Sequence, residues 1–139
     1  MPNLTQWGSS QDGLGLYYTF SNCTNLQTVN LPNLTDAALG ANAFSNCTSL
    51  TKVKVPSSRI FIGCFDNCKV LQTLILPQTN SVTYLANSTM FEDTLIGKNQ
   101  DSGIYVPRAL VNEYKKATNW TVYADYIRAI EDYPDITGG

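Results

Sequence analysis

The chain has no histidine and few charged residues. Among its 139 residues, nine are basic and eleven acidic, which gives a net charge of -2 at pH 7, and charged side chains make up 14%. Histidine is the commonest general base, and without it the chain cannot form the Ser-His or Cys-His pairs on which many hydrolases depend. The acidic residues are scattered without a motif. The sequence therefore predicts a protein that is not an enzyme.

Other features that the sequence lacks disfavour further classes of protein. The longest basic run is Lys115-Lys116, so nucleic acid and anionic membranes are poor partners. No stretch reaches the roughly 20 apolar residues of a membrane helix, so direct membrane insertion is not expected. Phosphate-binding loops, the serine-nucleophile motif and the EF-hand loop are missing, so no cofactor is predicted. A 43% share of hydrophobic residues nevertheless predicts that the chain folds.

The sequence does contain an internal repeat. The pattern F-x-N-C-x-x-L-x-x-[VL]-x-[VL]-P begins at Phe20, Phe44 and Phe65, with spacings of 24 and 21 residues. A degraded fourth copy begins at Phe91, where Asp and Thr replace the Asn and Cys, and it closes at Pro107 after a polar insertion. Self-similarity at periods of this length indicates a solenoid of stacked coils.

Stacking the coils at the spacing of neighbouring strands, about 4.8 Å, places like residues above like residues. We expect the apolar positions of each short strand to point inward and form one continuous core: Leu26, Val29, Leu31, Leu50, Val53, Val55, Leu71, Leu74 and Leu76. The repeated Phe should form a second buried column on the opposite side of the coil. The closing Pro lacks an N–H donor and so ends each strand.

The four cysteines fit the repeat better than they fit a disulfide framework or a metal site. Cys23, Cys47 and Cys68 occupy one repeat position, which predicts a column of small, buried, reduced thiols. Cys64 takes the place that Ala43 has in the preceding repeat. A single C-x3-C spacing does not match the paired ligands of zinc sites, so no metal is predicted.

An Asn precedes the Cys in each complete repeat. Asn22 and Asn46 also lie in N-x-T sequons, which by themselves would indicate glycosylation. Both belong to the repeat itself, so we interpret Asn22, Asn46 and Asn67 as satisfying backbone groups in the bend before each Cys, as Asn does in many turns.

The repeat resembles the BspA-like (Treponema-type) leucine-rich repeats, which read I-G-x-x-A-F-x-x-C-x-x-L-x-x-[VI]-x-[IL]-P. Residues 39–44 (LGANAF) match the first part of that pattern, and the similarity covers roughly residues 14–107. It implies an α/β solenoid, that is, a right-handed leucine-rich-repeat coil with short parallel strands and a C-terminal helical cap. It also implies a bacterial protein located at the cell surface or secreted.

We expect about four leucine-rich repeats over residues 1–107, a helical cap over 108–133 and a loose tail over 134–139. Residues 2–5 (PNLT) repeat residues 32–35, so the first repeat is truncated and the protein is expected to continue upstream, where any signal peptide would lie. Apolar spacings of three and four residues predict one helix near Leu110 and a second one around Val122 to Ile130. The exposed start at Met1 predicts self-association through this end.

The outward-facing residues of the strands form the candidate binding site, called here the strand face. They make a mixed, mildly polar ladder of Gln27, Thr28, Asn30, Thr51, Lys52, Lys54, Gln72, Thr73, Ile75 and Tyr105. One interpretation is an ordinary solvated sheet surface, and the other is a ligand surface. Ile75 and Tyr105 favour the second, because exposed apolar and aromatic groups are typical anchors at interfaces.

The favoured function is a binding or adhesion module of a larger bacterial surface, secreted or phage-tail protein. It would recognise a protein or a glycan through the strand face, because solenoids offer extended surfaces and few catalytic pockets. The alternative is a structural spacer and C-terminal cap that positions a functional domain located upstream.

Overall fold

The computed structural model describes residues 20–31, 38–79 and 81–138. The predicted truncated repeat near the start, and with it the association expected at Met1, lies outside these residues. The described chain winds through successive coils, each of which contributes one short strand to a main sheet. Within the described residues, no helix is long and apolar enough to cross a membrane.

Two parallel sheets run along the solenoid. Within the described residues, the main sheet has five strands and a smaller sheet has three. The main-sheet strands are β1 (Thr28–Asn30), β3 (Lys52–Lys54), β5 (Thr73–Ile75), β7 (Gly103–Val106) and β8 (Ile127–Ala129). The smaller sheet consists of β2 (Ala38–Leu39), β4 (Arg59–Ile60) and β6 (Tyr84–Leu85). The strand order is β1-β3-β5-β7-β8 in the main sheet and β2-β4-β6 in the smaller one.

The parallel register places equivalent repeat positions directly beside one another. Val29 pairs with Val53, Val53 with Leu74, Leu74 with Ile104, and Ile104 with Ile127. All five side chains are buried in one hydrophobic core. The predicted solenoid with short parallel strands and an inward apolar column is therefore confirmed.

The repeated phenylalanines form the predicted second column. Phe20 and Phe44 stack with ring centroids 5.2 Å apart, and Phe44 stacks on Phe65 at 5.7 Å. Phe91 continues the column at 5.6 Å from Phe65, and Trp120 closes it at 6.1 Å from Phe91. Since these rings are buried, each coil contributes a large apolar group to the contact with the next one.

The repeated Asn residues occupy bends that need a left-handed backbone. Asn22, Asn46 and Asn67 have φ angles of 65°, 63° and 61°. Asn tolerates this region better than most residues do. The side chains also form a ladder, because Asn46 Nδ2 donates to Asn22 Oδ1 and Asn67 Nδ2 donates to Asn46 Oδ1, both at 2.9 Å.

The repeated cysteines are free thiols, and Cys47 and Cys68 are buried as predicted, whereas Cys23 is only partly buried. Cys47 Sγ donates to the carbonyl oxygen of Phe20, and Cys68 Sγ donates to that of Phe44, both at 3.0 Å. Burial raises the pKa of Cys47 to about 11 and that of Cys68 to about 12. These thiols therefore stay protonated at neutral pH and act as packing and donor groups.

The segment after β7 differs in part from the two predicted helices. It comprises a 3-10 helix (Arg108–Leu110), α1 (Val111–Lys116) and a longer 3-10 helix (Thr121–Tyr126), followed by β8. The second predicted helix is wrong, because Val122 is 60% exposed and Ile127 lies in a strand. The backbone N–H and C=O groups of β8 form hydrogen bonds with β7, whereas in a helix they would have bonded within the segment itself.

The last described residues form short helices, where the sequence indicated a loose tail from residue 134. A 3-10 helix (Ile130–Asp132) leads into α2 (Pro134–Thr137), in which Pro134 fits the first helical position. Gly138 caps α2 at a φ of 79°, and its N–H donates to the carbonyl of Pro134 at 2.9 Å. Residues 130–138 are called the C-terminal strap below.

Candidate ligand-binding surface

The structure brings the predicted strand-face residues together in two rows across the main sheet. One row contains Thr28, Lys52, Thr73 and Gly103 in register, and the other contains Asn30, Lys54, Ile75, Tyr105 and Arg128. Arg128 was missed by sequence reasoning, because β8 was expected to be helical. Its guanidinium lies 6.0 Å from the ring of Tyr133, and NH2 donates to the carbonyl of Ser102 at 3.3 Å.

The expectation that Ile75 and Tyr105 are exposed anchors is wrong. Both side chains are 0% exposed, because the C-terminal strap packs Ile130, Tyr133 and Ile136 against them. The rings of Tyr105 and Tyr133 meet edge to face with centroids 5.3 Å apart. Thr73, also predicted to face solvent, is only 8% exposed. Burying two adjacent apolar side chains on an outer face is favourable, and the strap provides the cover that buries them.

Two lysines of β3 hold the end of the strap on the sheet. Lys52 Nζ donates to the carbonyl of Ile136, and Lys54 Nζ donates to the carbonyl of Thr137 at 2.6 Å. The last carbonyls of a helix have no partner within it and favour nearby cations. The strap thus covers β5 and β7 while it fixes the ammonium groups of β3.

The strand face remains open at β1 and β3. Gln27, Thr28 and Asn30 are exposed, and Lys52 and Lys54 are half-buried. A cleft of about 250 Å³ lies between these two strands and the strap, lined by Thr28, Val29, Asn30, Lys52, Lys54 and Thr137.

The two remaining predicted residues lie just before their strands. Thr51 Oγ1 donates to the carbonyl of Gln27 at 3.1 Å, which connects neighbouring coils. Gln72 Oε1 accepts a hydrogen bond from Asn99 Nδ2 at 3.4 Å. Both side chains are half-buried, so they border the strand face at the start of the strands.

The lining residues of the cleft determine its charge. Lys52 and Lys54 supply two ammonium groups, and Asp and Glu are absent from the described lining. Within the part of the chain that the structure describes, Arg108 forms an ion pair with Asp132. Neither lysine of the cleft forms an ion pair with a described carboxylate. The described lining of the cleft is therefore positively charged, although the whole chain has a net charge of -2.

A second surface, on the smaller sheet, was missed by sequence reasoning. Arg59, Phe61 and Tyr84 line a depression of about 420 Å³, and Arg59 pairs in register with Tyr84. The rings of Phe61 and Tyr84 lie 6.3 Å apart, and Tyr84 is 53% exposed. The segments between the closing Pro and the smaller sheet differ in length from coil to coil, which hides this alignment in the sequence.

Stacked parallel coils, a buried Phe column and an Asn-Cys bend in each repeat define a leucine-rich-repeat solenoid. The chain belongs to the family described as the BspA type leucine rich repeat region (6 copies), whose model matches residues 16–100. Leucine-rich repeats of this kind form protein-interaction modules. No curated protein and no solved structure is significantly similar to the chain.

Proposed function

We propose that the chain is a non-catalytic binding module of a larger bacterial protein, located at the cell surface or secreted, and that it recognises its ligand through the open strand face at β1 and β3. In this proposal the coil is right-handed, the repeats occupy residues up to 107, and residues 108–133 serve as the C-terminal cap. A protein ligand is favoured over a glycan, because the family is one of protein-interaction modules.

One observation carries this proposal. The strap covers the apolar part of the strand face, whereas a polar part with a cleft of about 250 Å³ stays accessible. Exposed polar positions in register on neighbouring strands offer hydrogen-bonding groups at regular spacing to an incoming chain.

Binding of the purified chain to arrays of immobilised extracellular-matrix proteins and of glycans tests this function. Replacing Thr28 and Asn30 by Glu places two charges on the open face. A control places the same charges on exposed Thr24 and Asn25, which lie in the bend of the same coil. We expect T28E/N30E to weaken binding about tenfold and T24E/N25E to leave it unchanged. Equal effects of the two variants would contradict the proposal.

A structural spacer remains the second candidate, and the strap favours it, because a covered strand face presents less surface to a ligand. In a spacer, the described residues position a domain encoded upstream. The arrays then show no ligand for this chain. The activity of a longer version of the protein would depend on the number of coils but not on Thr28 or Asn30.

A further inference from the structure

The chemistry of the cleft between β1, β3 and the strap indicates what kind of ligand it takes. Lys52 and Lys54 lie two residues apart on β3, so their side chains leave the same face of the sheet. Each ammonium has three donors and is held by one strap carbonyl. The cations are thereby fixed in position, with donors left to direct at a ligand.

The other lining groups reinforce this preference. Thr28 supplies a hydroxyl and Asn30 an amide beside the two lysines, and Thr137 borders the cleft from the strap. Because two positive charges face no described carboxylate, an anionic group entering the cleft is attracted and finds several donors.

The spacing of the lysines further defines the ligand. Residues two apart in a strand are separated by roughly 6.6 Å, and an extended peptide presents alternate side chains at the same interval. An acidic residue at every second position of such a peptide would therefore match Lys52 and Lys54. The cleft, at about 250 Å³, accommodates side chains and not a folded domain.

We propose that this cleft binds carboxylates of an acidic, extended protein segment in which Asp or Glu occupies alternate positions. The proposal rests on the function proposed above and names the chemistry of its ligand. The strap is part of the site, because its carbonyls hold the two ammonium groups and Thr137 forms one wall.

Fluorescence anisotropy with a labelled hexapeptide of alternating Glu and Ser provides the test. The same peptide with Gln in place of Glu is the uncharged control, and an oligouronate of similar charge is the glycan control. We expect the Glu peptide to bind about tenfold more tightly than the Gln peptide, with an affinity that falls as salt rises. Equal affinities of the two peptides, or binding of the oligouronate alone, would overturn the proposal.

Two sets of variants locate the binding. K52Q/K54Q should weaken binding of the Glu peptide about tenfold, whereas K115Q/K116Q, which removes the same charge from exposed positions of α1, should not. Asn30→Asp adds a carboxylate to the cleft without touching the lysines, and it should also weaken binding, unlike Asn25→Asp in the bend. If K115Q/K116Q or Asn25→Asp acted as strongly, the attraction would be general and the proposed site wrong.

These measurements separate the site from the general function. A ligand from the arrays that is lost in T28E/N30E but is unaffected by K52Q/K54Q would leave the binding module standing and overturn the acidic-segment site. Loss of the array ligand in K52Q/K54Q, with retention in K115Q/K116Q, would support both.

Discussion

At the scale of single residues, Asn46 does two separable things. It adopts a left-handed φ of 63°, and its amide joins Asn22 to Asn67 in the ladder. Asn46→Gly keeps the backbone freedom and removes the ladder, so we expect the free energy of unfolding to fall by about 1 kcal/mol. Asn46→Ala also strains the backbone and should cost about 2 kcal/mol.

Urea unfolding followed by circular dichroism measures both changes. Asn112→Ala, at an exposed position of α1, is the control and should leave the stability nearly unchanged. If Asn46→Gly were as harmful as Asn46→Ala, the left-handed backbone would not be the reason for Asn at this position.

The buried thiols make stability sensitive to alkaline pH. In the folded chain the pKa of Cys47 is raised from 9.0 to about 11, mainly by desolvation. A raised pKa means that folding favours the protonated thiol. Its contribution is complete below pH 9 and is lost as the pH rises from 9 towards 11. We expect the free energy of unfolding to decline over this range.

Cys47→Ser isolates this contribution, because serine does not titrate there. The variant should be less stable at pH 8 but should lose stability less steeply between pH 9 and 10, because the other titrating groups are the same in both proteins. Parallel pH profiles of the two proteins, measured by urea unfolding, would refute the assignment.

Sequence reasoning was sound wherever one residue type recurs in register. The leucine, phenylalanine and cysteine columns follow from repetition alone, because stacking places equal positions in equal surroundings. The burial of Ile75 and Tyr105 could not be predicted in this way, because it depends on a segment more than twenty residues later in the chain. That segment belongs to no repeat, so periodicity carries no information about where it packs.

At the scale of elements, Thr83 joins the segment after β7 to the coils. Its Oγ1 donates to the carbonyl of Ser57 at 2.7 Å and accepts from Tyr114 OH at 3.1 Å, while its carbonyl accepts from Trp120 Nε1 at 2.7 Å. Thr83→Val keeps the shape and removes the hydroxyl. We expect a loss of about 2 kcal/mol in the free energy of unfolding, because buried partners are left unpaired.

Thr83→Ser is the matched control for this change. It keeps the hydroxyl and loses one methyl group, so it should cost about 1 kcal/mol, less than Thr83→Val. The reverse order, measured by thermal or urea unfolding, would show that packing and not hydrogen bonding dominates at Thr83.

The strap is predicted to protect Tyr105. Tyr133→Ala with Ile136→Ala removes two of the side chains that cover it, so oxidation of Tyr105 by hydroxyl radicals should rise several-fold. Stability should fall by about 2 kcal/mol through lost apolar burial and ring contact. Asp135→Ala, at an exposed position of α2, should change neither quantity. Equal oxidation of Tyr105 in all three proteins would contradict the packed strap.

The segment after β7 could be predicted only in outline. Apolar spacing identified α1 correctly, but the same spacing placed a helix where the structure has a 3-10 helix and β8. The free edge of β7 determines that residues 127–129 form a strand, because it offers backbone hydrogen-bond partners that local helix propensity does not take into account. The open cleft could not be predicted, since it is defined by the strap as much as by the strands.

At the scale of the whole molecule, coils contact mainly their neighbours, so stability should vary along the solenoid. Among the described strands, β3, β5 and β7 each pair with a described strand on both sides, whereas β1 and β8 each have one described neighbour. In a quasi-one-dimensional array the stabilising interactions act between neighbouring coils, so coils with fewer contacts open more readily than coils with more. Hydrogen exchange should therefore be slowest in β5 and β7, which have paired strands on both sides.

Thr83→Val then tests how far the coupling reaches. Thr83 and its partners lie near β6 and the segment after β7, so the variant should accelerate hydrogen exchange in β7 and β8 more than in β1. A single cooperative unit would show equal acceleration in every strand whose exchange requires global unfolding. Exchange measured by mass spectrometry on peptides containing β1, β5 and β7 distinguishes the two. A graded response means that a ligand held at β1 and β3 stabilises the coils next to it most.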